Sequence, residues 1–348
     1  MGLIAADRLR GFAEEVLVAI GLEAAAAEVT AGCLVEANLR GVDSHGVLRL
    51  IQYAHSVSSG EVNPKPRVVV LRRTAPTALV DADGGYGFVP AVRAMELAVE
   101  LAKAGGISLV GVRDSHHYGM AAPYAERAAA AGLIGLAATN TGPVMAPAGV
   151  TRPIAGNNPI AFAIPRRPPA PPIVLDMALS GTAFGRIRLA AAEGRRIPLG
   201  WAHDASGEPT TDAAAALAAS LLAPMGGHKG YGLSVIFEVL TGILTGSPFG
   251  AGADAHSHRA GGVGHLFIAI RPDLFVEQEA FEHSVESFVR ELKGAPAREG
   301  VEVLLPGEIE QRTRTDRALK GVPISEELVA QLDALAATLG LLARLRKA

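Results

Sequence analysis

One cysteine, Cys33, occurs among the 348 residues, so no intrachain disulfide can form and a disulfide-built fold is excluded. A single thiol in an apolar, helix-like stretch fits a reducing compartment, and the cytoplasm is the expected location. Excess charge is missing too: 32 Lys+Arg against 35 Asp+Glu leave a net charge of −3, which argues against a nucleic-acid partner. No apolar run suggests a membrane partner. The most apolar stretch, 232–246, contains Glu238 and falls short of the ~20 residues a spanning helix needs. At the N-terminus, Asp7, Arg8, Arg10, Glu14 and Glu15 break up any export-signal core.

Common catalytic motifs are absent as well. Lys229 follows Gly226-Gly227-His228 but precedes glycine, which excludes a P-loop. The near match to a dinucleotide fingerprint, 250–255, follows Ser247-Pro248-Phe249 instead of a strand, which argues against a Rossmann domain. No G-x-S-x-G exists, and the adjacent Asp43-Ser44-His45 cannot converge as a hydrolase triad. Asp254, His256, His258 and His265 offer metal-ligand types, but the spacing fits no closed site. No resident metal is expected, and a metal-dependent hydrolase is only a remote alternative.

With 49% hydrophobic residues, the chain can bury more than one core, and two domains are expected. Helical periodicity covers 5–20, 23–39 and 44–56, with Ser44 as the expected N-cap of the third. Short β-branched runs follow at 68–71, 77–80, 107–112, 133–138, 160–164 and 173–175. Helical stretches are expected at 89–104, 121–131 and 230–244, then at 277–292 and 325–347. This pattern predicts an α/β or α+β region near 75–275, with helical ends that pack together as one discontinuous domain.

Four constellations carry chemistry. On the expected helix, His45 and Arg49 stand at i and i+4 and share a face. Imidazole can move the proton of a hydroxyl becoming a carbonyl, and arginine can grip a carboxylate through two hydrogen bonds. Ser44 could orient the imidazole. The run Arg113 to Met120, with His116 and His117, sits between a strand and a helix, where ligand contacts gather. Asn157 and Asn158 are candidates either for donating to a substrate oxygen or for an Asx turn. Gly226 to Gly232, with His228 and Lys229, opens a helix and suits a cofactor phosphate.

Together, the segments 41–50, 115–124, 139–165, 174–178, 226–233, 264–270 and 305–308 resemble the malate/L-lactate dehydrogenase-like family of NAD(P)-dependent oxidoreductases. That family includes sulfolactate and ureidoglycolate dehydrogenases, diketogulonate reductase and piperideine/pyrroline carboxylate reductases. The resemblance implies a non-Rossmann α+β fold: a helical domain of residues 1–75 and 277–348, and a mixed, largely antiparallel sheet domain, 76–276, that binds NAD or NADP. It also implies a homodimer. By carry-over, His45 resembles the proton donor/acceptor, Ser44 its relay partner and Arg49 the substrate carboxylate ligand. His117, Tyr118, Gly119 and Met120 resemble a cofactor loop, and in some relatives this histidine has been given the base role. Asp176, Met177 and Ala178 match the next cofactor segment, His228 and Lys229 another, and Leu304, Leu305, Pro306 and Gly307 the last.

Two departures bear on substrate. Asn157 stands where many relatives have threonine, and Phe184-Gly185-Arg186 replaces a motif that often begins with Arg or His. Both lie at substrate-facing motif positions. The expected reaction is hydride transfer between NAD(P)(H) and a small 2-hydroxy or 2-oxo acid, with a second anion such as the distal carboxylate of malate near Arg186. The alternative is reduction of a cyclic imino acid, which carries its carboxylate beside the reacting carbon too.

Overall fold

The computed structural model describes residues 2–254 and 262–345. At its centre is a seven-stranded sheet, in spatial order Val69–Arg73, Thr77–Gly85, Ile107–Ser115, Val263–Ile270, Ile134–Thr139, Ile160–Ile164 and Ile173–Met177. The Thr77–Gly85/Ile107–Ser115 pair is parallel, and the five other junctions are antiparallel. The helix Phe88–Gly105 makes the crossover that a parallel pair requires.

Alternation along the strands assigns the two faces. Ala137 joins a core with Ala91, Ala94, Met95 and Leu101 of Phe88–Gly105 and with Ala125 and Ala128 of the helix Ala122–Ala130. Its neighbour Ala138 joins a different core with Met145, Ile160, Leu179 and Phe237. Small residues set the closeness of the layers: a Cβ on Gly135 would lie 2.3 Å from the Ala125 carbonyl oxygen. On the opposite face, a Cβ on Gly264 would lie 1.9 Å from the Thr241 carbonyl oxygen, in the π-turn Val239–Ile243 that continues the helix His228–Glu238.

A further core gathers Leu9, Phe12, Val16, Leu34, Leu50 and Tyr53 with Val322, Leu332, Ala336 and Leu345. The strand Gly2–Ile4 pairs with Val322–Ile324, fastening the two ends of the chain. Helix Gln278–Lys293 contributes no buried residue to that core; bidentate Arg166–Glu286 hydrogen bonds of 2.9 and 2.8 Å link it to the sheet region. Among the described residues, no helix is long and apolar enough to cross a membrane.

The expected helix from 44 to 56 is shorter than the sequence suggests. Residues Asp43–His45 form one 3-10 turn, Gly46 is extended, and the α-helix runs Arg49–Ser58 with no side-chain cap. The last expected helix also stops early, at Thr338.

Candidate active site

The turn that carries His45 is shaped by its neighbours. Gly41 takes φ +81 at the end of helix Ala24–Leu39, a conformation costly for other residues. At Gly46 a Cβ would fall 2.2 Å from Asn38 Oδ1, and that oxygen accepts the Val47 N–H at 2.9 Å. Ser44 therefore does not cap a helix. It still reaches the imidazole: Ser44 Oγ lies 2.9 Å from His45 Nδ1. Arg49 does not share a helix with His45, yet its Nε donates to the Ser44 carbonyl at 2.8 Å and its Nη1 to Gln52 Oε1 at 2.8 Å. The expected shared helix face is thus absent, and Arg49 is fastened instead to the residue before His45. Burial and the guanidinium of Arg188 lower the Arg49 pKa, against the pull of Tyr53.

The loop after strand Ile107–Ser115 brings His117 beside His45, with ring centroids 5.6 Å apart and planes 17° apart. Tyr53 Oη is 2.6 Å from His117 Nδ1, and the Gly119 N–H also points to this nitrogen at 3.4 Å. A backbone N–H can only donate, so this assigns Nδ1 as acceptor, the Tyr53 hydroxyl as donor and the ring proton to Nε2. Burial pushes the Tyr53 phenol well above its usual pKa, which keeps it protonated as that donor. Gly119, at φ +77, passes so near Phe88 that a Cβ would lie 2.9 Å from the ring.

His265, the histidine that sequence offered as a metal ligand, has another role. Its Nδ1 is 2.7 Å from Thr139 Oγ1 and its Nε2 2.7 Å from Ser115 Oγ. Thr139 spends its hydrogen on carbonyl oxygens, at 2.9 Å for Gly264, so Nδ1 donates and Nε2 accepts. Its ring stacks on Tyr118 at 4.5 Å and 3°, and Tyr118 stacks on Tyr124 at 5.0 Å. Burial pushes the His265 pKa down to about 3. Both nitrogens are committed, so His265 cannot complete a metal site. His256 and His258 lie outside the described residues.

The strand Ile173–Met177 and the residues after it form a spine to which the other candidate segments attach. Val174 N–H donates to the Pro306 carbonyl at 3.1 Å, and Gly307, at φ +86, closes on Val174. Leu304 precedes Leu305, whose N–H is held by Glu308 at 2.6 Å. Asp176 Oδ2 accepts the Ala122 N–H at 2.8 Å, at the start of helix Ala122–Ala130. Asp176 is exposed as a residue, but its carboxyl is surrounded by protein, and this burial raises its pKa to about 6, against the backbone donors Ala122 and Ala121. Met177 and Ala178, half-buried, continue the spine. Leu179 then bonds the Asn157 carbonyl at 2.8 Å and accepts from Met225 at 2.8 Å, setting the 226–229 turn beside the same edge. Gly226 and Gly227 have positive φ and open space around them, and His228 and Lys229 are exposed.

The two asparagines differ. Asn158 is buried, donating to Glu238 Oε2 at 2.7 Å and to the Ser234 carbonyl at 3.0 Å, and accepting from Thr141 N–H at 3.0 Å. It holds the loops together. Asn157 is half-buried and bound through Oδ1 to Thr141 Oγ1 at 3.0 Å. In the helix Phe184–Ala192, Phe184 packs against the core of Ala138, Met145 and Ile160, whereas Gly185 and Arg186 are exposed. Arg188, one position beyond Ile187 on this helix, is the arginine whose charge contributes to lowering the Arg49 pKa.

The family model described as malate/L-lactate dehydrogenase matches residues 4–333. The chain belongs to this family. It is 36% identical over 342 residues to malate dehydrogenase from Pyrococcus abyssi, covering 96% of this chain and 94% of the relative. Among solved structures, sulfolactate dehydrogenase from Methanocaldococcus jannaschii superposes with a TM-score of 0.91 at 37% identity, covering 98% of both chains. Delta1-piperideine-2-carboxylate reductase from Pseudomonas syringae pvar. tomato gives 0.87 at 33% identity, covering 97% of this chain and all of that one. A member of the malate/L-lactate dehydrogenase family, the chain is an oxidoreductase.

Proposed function

We propose that this member of the family transfers a hydride reversibly between NAD or NADP and a small 2-hydroxy/2-oxo acid. The observation that carries the reading is the meeting of Ser44, His45 and Arg49 with His117 and Tyr53. Named relatives use NAD(+) or NADP(+), and the segments along the 173–181 spine fit such a cofactor outside a Rossmann frame. The fit rests on the Gly226–Gly227 turn: open space over two glycines at the start of a helix whose first N–H groups lack intrahelical partners, with Lys229 beside it, suits phosphate. Asp176, Met177, Ala178 and 304–307 would hold the remainder, with the 117–120 loop at the reacting end. When bound, the nicotinamide ring takes up or supplies the hydride.

The chain's own groups align the substrate and move the proton. Arg49 binds the carboxylate next to the reacting carbon. In oxidation, neutral His45 takes the hydroxyl proton while Ser44 fixes the ring; in reduction, protonated His45 returns it to the carbonyl oxygen. Asn157, Gly185 and Arg186 line the substrate side in this reading. The Arg188 charge that reaches Arg49 favours a substrate with a second anionic group, such as malate or sulfolactate. A cyclic imino acid is the second reading, supported by the likeness to the piperideine-2-carboxylate reductase structure, because Arg49 would bind its carboxylate equally well. The protein acts as a homodimer in the cytoplasm, in keeping with the exposed apolar face Leu233, Ile236, Val239 and Leu244 and the lone Cys33.

Following NADH and NADPH absorbance with oxaloacetate, pyruvate, sulfopyruvate, diketogulonate and cyclic imino acids tests this. Oxidation of the cofactor by a 2-oxo acid is expected. Silence across the panel without cofactor binding would overturn the reading.

A further inference from the structure

We propose that Arg317 is a positioning residue for the His45 turn, acting through Asp43. The inference rests on the reading of His45 as proton carrier.

A three-residue 3-10 turn has little to hold itself. Its backbone bonds are His45 N–H to Val42 O at 2.9 Å and Gly46 N–H to Asp43 O at 3.1 Å. The rest comes from outside. Arg317 donates to the Asp43 carboxylate through Nη1 at 2.8 Å and Nη2 at 3.1 Å, the two-pronged geometry that fixes direction as well as distance. Asn38 Nδ2 donates to the same carboxylate at 2.6 Å, while Asn38 Oδ1 holds Val47 N–H. One buried asparagine thus grips the turn before and after His45, and Arg317 also donates to that asparagine's carbonyl oxygen.

Arg317 belongs to helix Glu308–Lys320, none of whose residues is fully buried. The helix is fastened by charge: Arg314 Nε meets Glu36 Oε1 at 2.8 Å, and Glu36 continues to Arg40 at 2.7 Å and on to Glu126. It also lies close over the turn's approach, where a Cβ on Gly41 would come 3.2 Å from Thr313 Cγ2. At its other end the same helix begins directly after the 304–307 segment. Arg317 therefore sets the aim of His45 without touching it.

The test compares full-length Arg317→Met, Arg317→Lys and Asp43→Asn with the parent, using the best substrate of the absorbance panel. Arg317→Met should lower kcat about 10-fold or more, the scale of a misaimed catalytic group, with cofactor Kd by fluorescence titration unchanged. Arg317→Lys, which offers a point charge without the fork, should recover part of the loss. In ¹⁵N-imidazole spectra the His45 signal, assigned by its loss in His45→Asn, should move in Arg317→Met and Asp43→Asn. Unchanged kcat and an unmoved His45 signal in a folded variant would overturn the proposal. So would loss of kcat with the signal unmoved. If Arg317→Met does not fold, Asp43→Asn and Arg317→Lys give the same reading. Full turnover in His45→Asn would instead sink the proton-carrier assignment, leaving the signal shift to judge the positioning.

Discussion

The imidazoles of His45 and His117 lie face to face at 5.6 Å, each anchored through Nδ1 by a neighbouring hydroxyl, Ser44 for one and Tyr53 for the other. In the proposed reaction one proton passes through His45, and a single ionisation should therefore govern turnover near neutrality. Oxidation should rise with pH along a slope of one and reduction should fall, as measured from kcat/KM profiles in both directions. His45→Ala should cost about 10²-fold or more in kcat; wild-type turnover in that variant would remove His45 from the chemistry.

Arg49 and Arg188 are two cations whose fields overlap, a repulsion that an anionic substrate relieves. Arg49→Lys keeps the charge but loses the fork, and should raise KM for every carboxylate substrate. Arg188→Ala should raise KM about 2- to 5-fold for malate or sulfolactate, the size of one exposed charge pair, and leave lactate nearly unchanged. Equal effects on lactate and malate would argue for a substrate with one anionic group.

The pH dependence of stability should carry the mark of His265. Its folded pKa lies near 3, from burial, while an unfolded histidine titrates near ~6.5. Between those values the unfolded chain binds a proton that the folded chain refuses, so stability falls as pH drops through 6.5 and keeps falling to about 3. The full loss is of order 5 kcal/mol. Thermal melts of His265→Gln should show lower stability at pH 8, from the altered Ser115–Thr139 bridge, but a flatter decline toward pH 4. Parallel pH curves for both proteins would refute the neutral buried imidazole.

Leu233, Ile236 and Leu244 are 40%, 56% and 59% exposed along one helical segment, where an isolated surface would favour polar groups. If this face is the contact of the proposed homodimer, the parent protein should run as a dimer in light scattering and Ile236→Glu as a monomer of lower activity. A monomeric parent protein would show that this face is not the subunit contact.

Most helices and six of the seven sheet strands were legible because period and β-branched runs agree with burial. The strand Val263–Ile270 was not identified as one. It is paired on both edges and buried at most positions, so the alternation that marks a half-exposed strand is missing, and His265 in its midst reads as a polar loop. The turn at Asp43–His45 failed for another reason: helix periodicity runs through it, and only Asn38 pressing on Gly46 shows why the backbone departs from the helix. The candidate site residues came from motifs, while Arg188, Arg317 and the Ser115–His265–Thr139 bridge depend on contacts between segments far apart in sequence, which no local pattern encodes.

Of the seven strands, the fourth across the sheet is the last to be synthesised. Until Val263–Ile270 emerges from the ribosome, Ile107–Ser115 and Ile134–Thr139 have no strand between them, and each waits with an unpaired edge. Nascent chains ending before residue 270 should therefore be sticky and dependent on chaperones. Completion of that one segment would join the two three-stranded halves of the sheet at once.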